Sequence, residues 1–263
     1  MRVATFNCNS IRVRLATILK WLDAYSPDIL ALQETKVTDP LFPVEEFRRH
    51  GWWVGYRGEK TYNGVAVVCR KEPETLEFGL GDGDQDKSAT RLCHVRVDGL
   101  DLVNTYVPQG QSLDSEKFAF KLAWFERLSD YFQRLSPPGK GRVVWVGDLN
   151  VAPEAIDVYD SRAIWPHVCH CQEVIDAFRK TQAWGFVDIF RRYLPEAGNF
   201  TFWDYRQRAS LELNRGWRID HILASPELAK ASTDCKVDRE PRQDPRPSDH
   251  TFVYADFTLR KRR

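Results

Sequence analysis

Apolar runs in this chain repeatedly stop at a side chain that offers an oxygen or nitrogen donor. Asn7 follows Val3 to Phe6, Glu34 follows Ile29 to Leu32, and Asp148 and Asn150 follow Val143 to Val146. Asp220 stands in Trp217-Arg218-Ile219-Asp220-His221 ahead of Ile222-Leu223, and Asp249-His250 directly precedes the last apolar run. Strand ends are where a rigid scaffold presents side chains to a site. A turn or a helix cap accounts for any one of them, and Gly147-Asp148 alone is ordinary turn chemistry. The set as a whole is harder to dismiss. Clustered carboxylates repel each other unless a cation compensates them. An oxygen-rich donor set selects hard ions such as Mg2+ or Mn2+ over zinc. Such an ion activates water, orients a phosphate and stabilises developing charge. Spacing alone does not bring these residues together in space.

Other segments carry signals about a substrate. Asn104-Thr105-Tyr106-Val107-Pro108-Gln109-Gly110 ends a strand with a phenol, a proline-shaped turn and an amide. Tyr106 taken alone reads as a core aromatic with a bonded hydroxyl. Thr201-Phe202-Trp203-Asp204-Tyr205-Arg206 and Trp217-Arg218 set aromatic rings beside guanidinium groups. That pairing suits a nucleic-acid surface or a pocket for a flipped-out sugar. Of the nine tryptophans, Trp21, Trp52 and Trp145 are assigned to the core. His167-Val168-Cys169-His170-Cys171 crowds four candidate ligands into five residues, but a structural zinc site takes two separated pairs and no second cluster matches. It reads as a surface loop entering a helix.

The elements that must position these residues follow from periodicity. Strands are expected at Arg2 to Phe6, Ile29 to Leu32, Gly64 to Cys69, Arg91 to Val97, Leu100 to Tyr106, Arg142 to Val146, Arg218 to Ala224 and Thr251 to Leu259. Asp98-Gly99 marks a hairpin. Helices are expected over Thr17 to Tyr25, broken by Ser26-Pro27-Asp28, over Ser115 to Phe132, and over Gln172 to Trp184. Several strands precede the second helix, which argues against strict βαβ alternation. Two packed mixed sheets with helices outside fit better, as an α/β fold in one domain. No internal repeat or flexible linker divides the chain.

The chain's 263 residues are enough for a substantial core. No apolar run is long enough to span a bilayer, and the N-terminus reads as a first strand, not a signal peptide. The expectation is a cytosolic protein with no membrane and no protein partner implied. Cysteines at 8, 69, 93, 169, 171 and 235 are expected reduced, with Cys8, Cys69 and Cys93 as small buried hydrophobes. Thirty-eight basic residues nearly balance 37 acidic ones. An acidic metal site would cancel basic charge elsewhere, so neutrality does not exclude a nucleic-acid partner. The basic end at 259–263 reads as a solubilising tail.

In order along the chain, Thr5-Phe6-Asn7, Leu32-Gln33-Glu34-Thr35-Lys36, Asn104-Thr105-Tyr106-Val107-Pro108, Gly147-Asp148-Leu149-Asn150, Thr201-Phe202-Trp203, Trp217-Arg218-Ile219-Asp220 and Ser248-Asp249-His250 resemble the exodeoxyribonuclease III family of the endonuclease/exonuclease/phosphatase superfamily. Each piece is weak; the ordered set is strong. The resemblance implies a four-layer α/β sandwich and a Mg2+-dependent nuclease, with Mn2+ as the alternative ion. Its partner would be double-stranded DNA, especially at abasic sites, with cleavage 5′ of the lesion and 3′-to-5′ digestion. Asn7, Glu34, Asp148, Asn150, Asp249 and His250 would ring the metal and the phosphate. In that scheme Glu34 is the main metal carboxylate, and His250, oriented by Asp220, contacts the phosphate or takes a proton from water. Asp148 positions or deprotonates the water or protonates the leaving oxygen, Asn150 stabilises the transition state, and Tyr106 contacts the phosphate or metal site. Phe202, Trp217 and Ile219 match a pocket for an abasic deoxyribose, with Trp203 and Arg218 beside them, and Lys36 helps hold the acidic site together. Gln109 departs from the Asn of some members while keeping an amide. The Gly110 to Phe118 segment lacks the arginine-bearing form of some relatives. A phosphatase of the same superfamily acting on small or lipid phosphoesters is the alternative; it does not predict Phe202-Trp203 and Trp217-Arg218. A DNA-binding domain without catalysis would not need every one of these positions filled.

Overall fold

The computed structural model describes residues 1–83 and 88–259; the basic run at 260–263 lies outside them. Each of its two sheets is built round one parallel pair of strands joined over a helix. In the first, β1 (Arg2–Asn7) and β2 (Ile29–Gln33) are joined by α1 (Ile11–Tyr25) and pair from Val3↔Ile29 to Asn7↔Gln33. α2 (Val44–Arg49) follows, then β3 (Trp53–Arg57), β4 (Val65–Cys69) and β5 (Thr75–Phe78). In the second, β6 (Leu92–Val97) turns into β7 (Leu100–Tyr106), and α3 (Glu116–Leu135) carries the chain to β8 (Val143–Asp148), parallel to β7. Then come α4 (Ser161–Ile164), α5 (Gln172–Gln182), β9 (Val187–Asp188), α6 (Ile189–Tyr193), β10 (Asp220–Ala224), α7 (Pro226–Ala231), β11 (Ser232–Asp238) and β12 (Phe252–Phe257). The strand orders are β11-β12-β1-β2-β4-β3 and β5-β6-β7-β8-β10-β9, six strands each.

The layers follow from strand alternation, which sends successive side chains to opposite faces. Ile29, Ala31, Val144 and Val146 point into the space between the sheets with Val67, Leu102, Ile222 and Val253. Leu30 and Leu32 point outward to meet Ile18, Trp21 and Leu22 of α1. Trp145 points the other way, into Phe125, Leu128 and Phe132 of α3 and Phe178 of α5. The result is the expected four-layer sandwich of two mixed sheets with helices outside. Strands buried on both faces read as continuous apolar runs, which is why β2 and β8 stand out in the sequence. Trp21, Trp52 and Trp145 are buried, as are Cys8, Cys69 and Cys93. All six cysteines are free thiols. No helix among the described residues is long and apolar enough to cross a membrane.

α3 starts where the Ser115 hydroxyl accepts the Phe118 N–H at 3.2 Å, one of the donors a helix start leaves unpaired. α1 begins at Ile11, earlier than periodicity indicates, because Arg12 and Val13 of its first turn are exposed and leave no apolar stripe. The edge strands β3, β5 and β11 have no counterpart in the sequence reading. β11 alternates buried Ser232, Cys235 and Asp238 with exposed Thr233 and Lys236, a polar edge without an apolar run.

One polar cluster interrupts the apolar space between the sheets. Gln33 Nε2 donates to Thr5 Oγ1 at 2.9 Å and to Asn104 Oδ1 at 2.7 Å, while Asn104 Nδ2 donates to the carbonyls of Leu32 and Ala66 at 3.0 Å. It lies where the parallel strands of both sheets end, so those ends are fixed against each other. β8 passes close to β7 at Gly147, which has φ +135°; a Cβ there would lie 1.9 Å from the Thr105 carbonyl oxygen. Gly147→Ala is expected to lower stability by at least about 1–3 kcal/mol from backbone strain alone, read as a drop in the urea midpoint. An unchanged midpoint would show that the strand end relaxes freely.

Candidate active site

Two carboxylates from different sheets meet at the strand ends. Asn7, closing β1, donates from Nδ2 to Glu34 Oε1 and to Asp148 Oδ2, both at 2.8 Å. His250 stands beyond them, its Nε2 3.7 Å from Asp148 Oδ2. One ligand atom from each of Glu34, Asp148 and His250 lies within 4.8 Å of the others. The cluster is compatible with a divalent metal ion. Two carboxylates and one imidazole converging from separate elements match the donor preference of a hard cation.

Electrostatics explains the flanking residues. Burial pushes the Glu34 carboxyl up, but the Lys36 ammonium, 2.7 Å from Oε2, together with the Asn7 amide and His250, holds the group below its ordinary range. Lys36 also donates to Asn9 Oδ1 at 2.6 Å, so it ties the acidic site to the loop after β1. Asp148 is driven the other way: burial raises its carboxyl, with the neighbouring charges of Asp220 and Glu34, against the pull of His250. Burial would strip His250 of its proton, yet Asp220 and Asp148 together hold its pKa above the ordinary histidine value. Asp220 Oδ2 is 2.8 Å from His250 Nδ1 and accepts the Thr201 hydroxyl at 2.6 Å. The Nδ1 side is therefore committed to Asp220, and Nε2 faces the cluster. Tyr106, at the end of β7, is buried against the charges of Glu34 and Asp148, and its phenol is held well above its usual value.

The other expected metal residues surround the cluster with partners of their own. Asn7 turns its amide nitrogen to the carboxylates, while its Oδ1 accepts the Asn9 N–H at 3.0 Å, so it bridges the cluster. Asp249 stands off from it and accepts the Asn9 amide at 3.0 Å. Asn150 packs under Asp148: its backbone N–H donates to Asp148 Oδ1 at 3.0 Å and its Nδ2 to the Val107 carbonyl at 2.9 Å. Glu34, Lys36 and Asn150 have φ of 52°, 51° and 49°, the left-handed region that glycine favours. Backbone strain of that kind gathers at functional sites.

Beside His250 lie apolar side chains. The Phe202 ring is 4.8 Å from the imidazole, and Phe202 and Trp217 exchange backbone hydrogen bonds at 2.9 Å in both directions. Ile219 follows on the same side as Trp217, and the His167 ring packs 4.8 Å from Trp217. Strand alternation corrects the reading of their neighbours. Trp203 is fully buried, its Nε1 donating to Asn214 Oδ1 at 3.2 Å, with the Arg239 guanidinium over its ring. Arg218 is fully buried and paired with Asp157 and Asp188. Neither reaches a substrate; both point away from the face that Phe202 and Trp217 line. Gln109 is exposed, with its Oε1 accepting the Gln111 N–H at 2.7 Å. The sequence reading missed Asn9 and Arg91. Arg91 stacks on the Tyr106 ring at 4.9 Å and donates to the Tyr106 carbonyl at 3.2 Å. A lone polar residue next to an apolar strand gives no signal that would have picked out either one.

The Endonuclease/Exonuclease/phosphatase family profile matches residues 4–250. Exodeoxyribonuclease III of Haemophilus influenzae is 30% identical, over 98% of this chain and 100% of its own. The structure of an AP endonuclease from Archaeoglobus fulgidus superposes with a TM-score of 0.95 at 44% identity, covering 98% of this chain and 100% of that one. A 3′ phosphatase from Neisseria, solved bound to a product DNA hairpin, superposes with a TM-score of 0.91 at 37% identity, over 98% and 100% of the two chains.

The segment bearing Trp217 and Ile219, which leads into β10, is anchored from behind. Arg218 Nε donates to Asp157 Oδ1 at 2.6 Å and its Nη1 to Asp188 Oδ2 at 2.8 Å, while Arg191 adds a second guanidinium to Asp157. Burial raises the Asp157 carboxyl, but Arg218 and Arg191 more than reverse this, leaving its folded pKa below the usual 3.8. A depressed carboxyl contributes stability that is present above the unfolded pKa and lost as pH falls through the folded one. Asp157→Asn strands a buried cation and is expected to cost about 3–5 kcal/mol at neutral pH. Denaturant unfolding of both proteins should show that gap narrowing on acidification below about pH 4, where Asp157 of the unfolded chain binds a proton while the folded one stays ionised until its lower pKa is reached. A gap of equal size at both pH values would overturn this account.

Proposed function

Because the chain belongs to the endonuclease/exonuclease/phosphatase family, in its exodeoxyribonuclease III branch, we propose that it is a divalent-metal-dependent DNA-repair nuclease that cuts double-stranded DNA on the 5′ side of abasic sites and digests from 3′ ends. The observation that carries this reading is the contact between two features. The Glu34–Asp148–His250 cluster directly adjoins the apolar side chains of Phe202, Trp217 and Ile219 through the Phe202–His250 ring contact. One provides for phosphoester hydrolysis, and the other suits contact with a deoxyribose that carries no base. A sugar of that kind is turned out of the duplex at low unstacking cost, which favours damaged sites.

Glu34, with Asp148, would hold the ion, with His250 beside them, and the carboxylate oxygens favour Mg2+, with Mn2+ as the alternative. When bound, the ion would neutralise phosphate charge and act as a Lewis acid. The side chains supply the rest. Asp220 fixes the His250 ring, so a protonated Nε2 is aimed at the site as a donor to a phosphoryl oxygen. Asp148, raised by burial, suits proton exchange with the attacking water or the departing 3′-oxygen. Asn150, in its strained conformation, fixes the Asp148 carboxylate through its backbone N–H. Water adds to phosphorus, the P–O3′ bond breaks, and the products are a 3′-hydroxyl and a 5′-phosphate.

The test uses end-labelled duplexes with one abasic site, with no damage, and with a 3′-terminal phosphate. Each is incubated with Mg2+ or with excess chelator. A Mg2+-dependent cut directly 5′ of the abasic site is expected, restored after chelation by Mg2+ or Mn2+. Asp148→Asn is expected to slow the single-turnover rate by about 10²–10⁴-fold. Glu34→Gln should raise the Mg2+ concentration for half-maximal rate by about tenfold or more. A ladder from 3′ ends alone would make exonuclease its main activity, and release of phosphate alone would make it a terminal phosphatase. No product on any duplex would sink the DNA reading and send the assay to small phosphoesters.

A further inference from the structure

One of the inward side chains of α3 is charged. Lys121 lies in the core with Phe118, Trp124 and Phe125 and has no solvent exposure. A lysine so placed is costly unless its ammonium is fully hydrogen-bonded. Here three backbone carbonyls take its protons: Asn150 at 2.6 Å, Val168 at 2.6 Å and Gln109 at 3.1 Å. Cys169 Sγ is 3.8 Å from the same nitrogen. The carbonyls belong to three loops that border the site: one after β7, one after β8, and the segment whose His167 packs on Trp217. Asn150 is the residue held at φ 49°, and its backbone N–H bonds Asp148 Oδ1. The direction of its carbonyl is thus set from below by Lys121 and that of its N–H from above by Asp148.

We propose that Lys121 is a positioning residue for the reaction: its ammonium pins the three loops together and keeps Asn150 in the strained conformation that places the Asn150 amide and the Asp148 carboxylate against the scissile phosphate. The proposal rests on the nuclease reading for its kinetic consequence. Misplacing reacting groups by about 1 Å costs up to about 10²-fold in rate. Lys121→Met removes the three bonds while keeping most of the apolar stem. Lys121→Arg keeps the charge but offers a planar fork that does not converge on three carbonyls.

The experiment measures single-turnover cleavage and DNA affinity for wild type, Lys121→Met, Lys121→Arg, Asn150→Ala and the Lys121→Met/Asn150→Ala double variant. Phe125→Leu, one turn along the same buried face, controls for general loosening of the core. Lys121→Met and Lys121→Arg are expected to lose about 10–10²-fold in rate with Kd within about threefold, and Phe125→Leu to keep its rate. In the Asn150→Ala background, which keeps the backbone link to Asp148, Lys121→Met should cost less than it does in wild type, because residues acting as a unit are not additive. Losses that multiply, or an equal loss in Phe125→Leu, would overturn the proposal. Should Lys121→Met fail to fold, Lys121→Arg and its double with Asn150→Ala carry the same comparison. The Asn150 backbone and side-chain 15N–1H resonances report the coupling without DNA; both Lys121 variants should shift them and Phe125→Leu should not. Wild type that leaves every duplex intact sinks the nuclease reading, whereas Asn150 resonances unmoved in both Lys121 variants sink the role of Lys121.

Discussion

Glu34 and Asp148 come from different sheets and share the single amide group of Asn7. Two buried carboxylates this close repel unless charge is supplied, and the surrounding structure supplies it from both sides. Lys36 reaches Glu34 from the loop after β2, and His250, backed by Asp220, faces Asp148 from ahead of β12. Each partner sits on a different element. The cluster therefore forms only when β1, β2, β8, β10 and β12 have all reached their places, and it reports the correct packing of the two sheets. The Gln33–Thr5–Asn104 cluster does the same between the strand ends. Elsewhere the space between the sheets is filled by apolar side chains.

This arrangement decides what could be read in the sequence. Strands buried on both faces appear as continuous apolar runs, so β1, β2, β7 and β8 were legible, and so were the donors at their ends, Asn7, Glu34, Tyr106 and Asp148. Edge strands β5 and β11 mix polar with apolar residues and leave no apolar run, and β3 is a short run broken by Gly55, so these were not. The start of α1 was hidden for a related reason. It turns Arg12 and Val13 to solvent, and no side chain caps it.

Within the site, adjacency in sequence misled where alternation should have ruled. Phe202 and Trp203 are neighbours in the chain but face opposite ways, and so are Trp217 and Arg218. A ring beside a guanidinium in sequence is thus not a ring beside a guanidinium in space. Arg218 serves the strand from behind through Asp157 and Asp188, and Trp203 is held by Asn214 and the arginines over its ring. Lys121, Arg91 and Asn9 were illegible for a different reason. Their roles depend on loops that are far apart in sequence, such as Gln109, Asn150 and Val168, and no local pattern records such a meeting.

The site also departs from what its own residues prefer locally. A left-handed backbone costs an ordinary L-residue about 1–2 kcal/mol, yet Glu34 and Lys36 adopt it within three residues of each other. Hydrogen bonds to neighbouring segments hold them there: the Ser10 N–H reaches the Glu34 carbonyl at 2.8 Å, Thr35 N–H the Gly64 carbonyl at 3.2 Å, and Lys36 N–H the Asn63 carbonyl at 3.0 Å. The segment after β2 is thus clamped between the loop after β1 and the loop before β4, and Glu34 is turned inward by its surroundings, not by its own preference. Asn150 repeats the device after β8, with Asp148 on one side of its peptide and Lys121 on the other. In both sheets, then, the strand end is bent out of its relaxed course by bonds to other elements, and each bend delivers the carboxylate of that sheet to the shared amide of Asn7.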